Sequence, residues 1–462
     1  MARVEIAKGA CIAAEDVTTL HDVPLGHKIA TVALRKGDPV LKYNTVIGRD
    51  YKPTTFLPPA QRATFMGIKR PDGEVATRNY IGVFVTVNCS ATVARKIANY
   101  FDEERMEDYP NVDGVIPFVH EQGCGMEMTG EPMDLLRRTL AGYVRHPKMA
   151  GVLVVALGCE RNNLAEFFKE QNLASGKMLK AITMQEAGGT KAAIDMGKAA
   201  IREMLAEANN IKREPCSAEH ISIGLQCGGS DGFSGLSANP ALGKVMDILV
   251  KNGGTAILSE TPELYGVEHT LTARAQTPDV GKSFDDRINW WLEHSEGRDT
   301  QINGRVSPGN NAGGIANIIE KALGGAKKGG STGVMGVYKY AEPVTEKGLV
   351  IMDTPGFDPV SATGQIAGGA NLVCFTTGPG SCFGSYPSPT IKLASNAPMY
   401  ERMVGDMDIN CGPVIDGEKT LDEMGEIIFA DILEVASGRM SKSEALGVGE
   451  DEFAPWPIGV AS

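Results

Sequence analysis

The sequence reads as an α/β protein in three parts: a small N-terminal all-β module, then two α/β domains with mostly parallel sheets. Three observations carry that expectation. Short β-like runs separated by turn residues crowd the first 48 positions. From about residue 66, apolar runs of strand length alternate with amphipathic runs of helical length, the pattern of a parallel sheet covered by helices. A chain of 462 residues is too long for a single core.

The elements follow in order. Lys28–Leu34, Gly37–Tyr43 and Val46–Gly48 are short β segments punctuated by turns, which bounds the β module at residues 1–48. Residues 49–65 contain Lys52-Pro53 and Leu57-Pro58-Pro59 and read as a linker. The central domain, 66–212, begins with a strand at Tyr80–Val87. A helix over Ala91–Phe101, a strand at Gly114–Val119 and a helix over Met133–Val144 come next. Gly151–Leu157 is a continuous apolar run, as expected of a strand buried on both faces. A helix over Ala192–Ala208 closes the domain, and Lys212-Arg213-Glu214-Pro215 marks a boundary. The C-terminal domain, 213–462, resumes with Ile221–Leu225, Leu242–Asn252, Thr255–Leu258, Gly348–Met352 and Asn371–Thr376, and ends in a helix over Leu421–Ser437.

Polar residues gather where these strands end. The richest loop is Cys227-Gly228-Gly229-Ser230-Asp231-Gly232-Phe233-Ser234-Gly235. Its glycines allow positive φ and close backbone approach, and a thiol, a carboxylate and two hydroxyls sit among them. Similar loops follow the other strands: His120–Gly125, Gly158–Asn163, Ser259–Glu263, Asp353–Gly356 and Thr376–Gly380. Strand-end loops are where α/β enzymes carry their ligand crevices and catalytic groups.

Charge and composition exclude several classes. A net charge of −12 argues against nucleic acid and against an anionic membrane surface. No apolar run reaches the roughly 18 residues of a membrane span, and the first residues lack a secretory signal. Nine scattered cysteines without a CxxC pair argue for reduced thiols and a cytoplasmic location. Walker A, HExxH and GxSxG motifs are absent, and Gly378–Gly384 spells GxGxxxG rather than a dinucleotide fingerprint.

The chain resembles the sugar-acid dehydratase family that includes altronate and galactarate dehydratases. The resemblance rests on Gly26-His27-Lys28, Lys42-Tyr43 and Ile47-Gly48 in the β module. It continues through Arg78-Asn79, His120 with Gly123-Cys124, and Gly158-Cys159-Glu160. It is strongest in Cys227–Asp231 with Ser234-Gly235 and Ala238-Asn239-Pro240. Ser307–Asn310 with Gly313-Gly314, and Asp408–Asn410, complete it. Coverage runs from about residue 20 to 460. Two departures stand out. The family's β module runs on through further histidine-bearing strands, whereas here Gly48 passes almost directly to Arg49-Asp50-Tyr51. Pro379 also stands where the family carries an arginine.

The resemblance implies a shortened SAF-like β-clip module ahead of the two α/β domains. It also implies loss of water from an aldonic or aldaric acid to give a 2-keto-3-deoxy acid. Such an elimination needs a base for the proton α to a carboxylate, a cation for the enediolate and an acid for the leaving hydroxyl. His120 is the leading acid/base residue, since imidazole titrates near the working pH; His27 and Asp231 are the other catalytic candidates. Substrate contacts fall to Lys28, Arg78, Asn79, Ser230, Ser234, Asn239 and Asn310. Metal ligation falls to Cys124, Cys159, Glu160, Cys227 and Glu260. The implied cofactor is a divalent metal, Fe(II) or Mn(II). The alternative is a [4Fe-4S] cluster held by Cys124, Cys159 and Cys227. The expected partner is a small sugar acid, and a homodimer is compatible with the sequence. Two other classes fit the same residues: a lyase that eliminates sulfite or ammonia, and a non-catalytic sugar-acid-binding protein.

Overall fold

A computed structural model describes residues 7–12, 17–19, 40–42, 45–48, 54–298 and 306–458. Met1–Tyr51 and Lys52–Ser462 are two compact units. In the first unit, β1 (Cys11–Ile12) pairs antiparallel with β2 (Val17–Thr18), and β3 (Val40–Lys42) with β4 (Thr45–Gly48). His27 and Lys28 lie outside the described residues.

The second unit opens with β5 (Thr64–Lys69), which turns at Gly73 into β6 (Val75–Ala76). A four-stranded parallel sheet follows. It comprises β7 (Tyr80–Val85), β8 (Gly114–Phe118), β9 (Met149–Ala156) and β10 (Leu179–Thr183), in the order β10-β9-β7-β8. Every residue of β7 is buried, as its unbroken apolar run requires. Helices Ala91–Ala98 and Thr190–Ala208 cover one face through Val93, Ile97, Ile201 and Leu205. Helix Glu131–Val144 covers the other.

The chain then returns through β11 (Glu214–Ser217), which pairs antiparallel with β5. The sequence reads this stretch as a boundary. It becomes a strand because it sits at the edge of its small sheet, where Pro215 needs no ladder N–H.

The second large sheet is seven-stranded and parallel, in the order β14-β15-β13-β12-β16-β17-β18. Its strands are β12 (Ser222–Cys227), β13 (Thr255–Leu258), β14 (Val334–Tyr338), β15 (Gly348–Met352), β16 (Leu372–Thr377), β17 (Thr390–Ala394) and β18 (Ile409–Asn410). Helices Ala238–Lys251 and Leu421–Ala436 pack on one face. Helix Asp358–Ala367 packs on the other, against helix Glu131–Val144 of the first sheet. The α/β expectation holds in both sheets. Strand order reverses at β12, which has β13 on one side and β16 on the other. That reversal opens a crevice at the carboxyl end of β12, the usual ligand position in an open α/β sheet.

Candidate active site

The crevice is built from the loop that follows β12. Gly228 passes so close to the Phe375 ring that a Cβ there would lie 2.6 Å from Cζ, and at Gly378 it would lie 2.4 Å from Cγ of Asp231. Only glycine lets these two loops meet. Cys227, the last residue of β12, is buried beneath them. Beside it, two residues past β13, Glu260 adopts the left-handed conformation (φ 64°, ψ 52°), and a 3₁₀ turn over Thr261–Leu264 brings Glu263 to the same spot. Helix Ile318–Lys327 and the residue after it supply Lys321 and Lys328.

These five side chains form one buried charged cluster. Lys328 Nζ lies 2.6 Å from Glu260 Oε2, with both side chains no more than 2% exposed. Lys321 Nζ lies 2.6 Å from Glu263 Oε1. The Cys227 thiol is 3.4 Å from Glu260 Oε2 and 3.7 Å from Glu263 Oε2. Burial, with the Glu260 charge beside it, pushes the Cys227 thiol well above its ordinary pKa. Burial also raises Glu263, against the pull of Lys321. Lys328 is buried too, but the negative groups around it outweigh burial and hold it charged. Asp358, half-buried in the first turn of helix Asp358–Ala367, is pushed up to about 8 by burial and by the charges of Glu260 and Glu263. Its Oδ2 lies 3.5 Å from the point where a Cβ on Gly228 would sit.

The cluster suits a divalent cation. One ligand atom each from Cys227, Glu260 and Glu263 lies within 4.8 Å of the others, and Glu260 Oε1 is buried with no hydrogen-bond partner among the described residues. A thiol with two carboxylates is a mixed S/O donor set suited to first-row transition metals, and a bound cation deprotonates a coordinating thiol.

The rest of the loop is tied into the protein by hydrogen bonds. Asp231 Oδ1 accepts from Ser234 N (2.8 Å), Ser234 Oγ (2.8 Å), Phe233 N (3.1 Å) and Ser395 Oγ (3.0 Å). Its Oδ2 accepts from Ser395 Oγ and Asn396 Nδ2, each at 2.9 Å. Asn310 Oδ1 accepts from Ser230 N at 2.8 Å, and Asn239 Oδ1 from Thr376 Oγ1 at 2.6 Å. Asp231, Ser234, Asn239 and Asn310 are thus turned onto protein partners and hold the crevice walls.

The first sheet gathers its own strand-end residues at the carboxyl ends of β7 to β9. His120 is buried; its Nε2 donates to the Val85 carbonyl and its Nδ1 accepts from Gln122 N–H, both at 3.2 Å. Burial pushes its pKa down to about 4, so the ring is neutral at pH 7. Glu160 accepts from Thr86 Oγ1 (2.5 Å) and Gly158 N (2.6 Å). Cys124 and Cys159 are exposed and are not part of the Cys227–Glu260–Glu263 group. Arg78 and Asn79 lie just before β7, at the opposite end of the strands from these loops. Arg78 makes two bonds to Glu444, at 2.7 and 2.8 Å. Asn79 bonds the carbonyls of Asn111 and Ala208.

Sequence reasoning missed Glu263, Lys321, Lys328 and Asp358 as members of the site. Glu263 lies within, and Asp358 just beyond, loops that it did single out. The two lysines carry no local signal, because their helix reads like any solvated one.

Comparison with known proteins adds an independent line. Residues 218–461 match the family model described as D-galactarate/Altronate dehydratase, C-terminal. Residues 67–209 match D-galactarate dehydratase/Altronate hydrolase, second domain, and residues 1–54 the Altronate/galactarate dehydratase SAF domain. An altronate dehydratase of Bacillus subtilis is 32% identical over 454 residues, covering 92% of this chain and 89% of the relative. A galactarate dehydratase (L-threo-forming) of Escherichia coli is 32% identical over 460 residues, covering 91% and 87%. A (2R)-sulfolactate sulfo-lyase subunit beta of Chromohalobacter salexigens is 31% identical over 388 residues, covering 83% and 95%. With a model for each of its three parts and relatives above 30% identity along most of its length, this chain belongs to the altronate/galactarate dehydratase family and is a hydro-lyase.

Proposed function

We propose that this enzyme removes water from an aldonic or aldaric acid, such as D-altronate or D-galactarate, to give a 2-keto-3-deoxy sugar acid. The observation that supports it best is the buried group of Cys227, Glu260 and Glu263 at the switch point, with Asp358 facing it. Cys227, Glu260 and Glu263 are the residues that would hold Fe(II) or Mn(II). Such an ion, when bound, polarises the substrate carboxylate and stabilises the enediolate. Lys321 and Lys328 offset the carboxylate charge, so the crevice accepts an anionic substrate. Asp358 carries the proton. Burial and the glutamate charges bring its pKa to about 8, close enough to neutral pH for its carboxylate form to take up a proton. That carboxylate takes the proton from C2 and returns it to the hydroxyl leaving C3. The C2–H and C3–O bonds break, C2=C3 forms, and the resulting enol becomes the ketone. The hydrogen-bonded walls around Asp231 keep this geometry while substrate enters.

The test is a panel of aldonic and aldaric acids incubated with the enzyme and Fe(II) or Mn(II), with 2-keto-3-deoxy product read by semicarbazide absorbance. Asp358→Asn should lower kcat by roughly 100- to 10,000-fold, the range for a positioned acid or base. It should also abolish solvent-deuterium exchange at C2. No keto acid from any substrate, or an unimpaired Asp358→Asn, would sink the reading. A second reading has its own support in the sulfo-lyase relative: the same enediolate would expel sulfite instead of water. Sulfite released from sulfolactate, with the sugar acids untouched, would select it.

A further inference from the structure

We propose that the hydroxyl pair Thr354–Ser361 is a positioning device that sets the Glu260 carboxylate against the helix carrying Asp358. The inference rests on the site reading above and adds residues that touch neither substrate nor ion. Glu260 sits in a left-handed conformation that a glutamate keeps only when its surroundings hold it. What holds it is Thr354, after β15: the Glu260 N–H donates to Thr354 Oγ1 at 2.9 Å, and the Thr261 N–H donates to the Thr354 carbonyl at 3.1 Å. Thr354 Oγ1 also lies 2.7 Å from Ser361 Oγ and 3.1 Å from the Pro355 carbonyl. Ser361 Oγ in turn accepts from Gln226 Nε2 at 2.7 Å.

Either hydroxyl can donate across the Thr354–Ser361 contact. In both directions Thr354 Oγ1 accepts from the Glu260 N–H and Ser361 Oγ accepts from Gln226 Nε2, so the pair joins the two. Thr354, Ser361 and Gln226 are fully buried, so water does not replace a lost member. Ser361 lies one turn beyond Asp358 on the same helix. The pair thus ties the backbone that aims Glu260 to the helix that aims Asp358, across β12, β13 and β15.

The experiment compares Thr354→Val, Thr354→Ser and Ser361→Ala in the full-length enzyme. Mn(II) binding is read by calorimetry without substrate, and turnover on the best sugar acid is read beside it. Thr354→Val keeps the shape and removes the acceptor. It should weaken Mn(II) binding and lower kcat by roughly 10- to 100-fold, the usual effect of losing an outer partner of a ligand, with KM within about threefold. Thr354→Ser keeps the hydroxyl and should restore both. Should Thr354→Val fail to fold, Ser361→Ala reads the same link and should move both quantities in the same direction. Wild-type Mn(II) affinity and kcat in a folded Thr354→Val or Ser361→Ala, or a Thr354→Ser as poor as Thr354→Val, would overturn the proposal and leave the site reading intact. A wild-type enzyme that neither binds Mn(II) nor turns over sugar acids would overturn both.

Discussion

Replacing Lys328 with methionine tests whether the charged cluster is a coupled unit. Lys328 and Glu260 form an ion pair at 2.6 Å with side chains 1% and 2% exposed. Methionine keeps the stem's bulk and deletes the charge. Among the described residues, Glu260 then loses the one partner of Oε2 that carries opposite charge, while Oε1 already has no hydrogen-bond partner. Stranding one member of a buried pair costs about 3–5 kcal/mol. That is a large share of a total stability of about 5–15 kcal/mol. The cost belongs to the stranded carboxylate, so Glu260→Gln added to Lys328→Met should recover most of it without recovering turnover. Urea unfolding of the two variants and the wild type forms the assay. Mn(II) offers a further check: an ion bound at 100 times its dissociation constant stabilises by about 2.7 kcal/mol, so it should rescue the single variant and do little for the double. A Lys328→Met protein as stable as wild type, or a double variant no better than the single, would refute the picture of an interdependent buried cluster.

Two other substitutions probe the surroundings. Asp231→Asn turns an acceptor into a donor opposite Asn396 Nδ2 and Ser395 Oγ. It should cost about 1–3 kcal/mol, and turnover should fall with KM rising, because the crevice wall loosens; unchanged stability with lost turnover would instead place Asp231 in the chemistry. His120 is neutral in the fold, with its pKa lowered by burial to about 4. The unfolded chain protonates that ring below its ordinary value, so stability is lost as pH falls from about 6.5 towards 4, by about 2 kcal/mol at pH 5. His120→Asn should flatten the loss between pH 7 and pH 5 by that amount, and an unaltered pH slope would show the ring to be protonated or exposed in the native protein.

Much of the architecture is legible in the chain because buried parallel strands leave continuous apolar runs. Thr255–Leu258 and Gly348–Met352 match the predicted strands residue for residue, and helix Leu421–Ala436 ends one position early. The Gly228-Gly229 loop announces a crevice because only glycine suits so close an approach. Glu260 is legible because it follows a strand in a short polar loop. Lys321 and Lys328 are not. They come from a helix more than 60 positions from Glu260, and the burial of their charges is decided by tertiary packing. Asp358 is hidden for a different reason: an acidic residue in a first helical turn is ordinary dipole chemistry, and it is burial, with the glutamates across the crevice, that changes its proton affinity. Arg78 and Asn79 show the converse. Their polarity beside a strand suggests a ligand, yet they stand at its starting end and are consumed by protein partners.

The pairing of β11 with β5 has a topological consequence. The chain leaves the small three-stranded sheet after Ala76 and re-enters it at Glu214, so the four-stranded domain is spliced into the other rather than strung before it. Its two ends meet: Arg213 Nη2 donates to the Thr77 carbonyl at 3.0 Å. A body attached by two adjacent strands has a neck instead of a tether. The neck is backed by a shared core, in which Phe84, Phe118 and Tyr143 of the insert pack with Tyr340, Val360 and Phe453. During synthesis the neck cannot close until residue 214 has left the ribosome. The whole insert, with the loops bearing His120 and Glu160, is then complete before the seven-stranded sheet has its first strand.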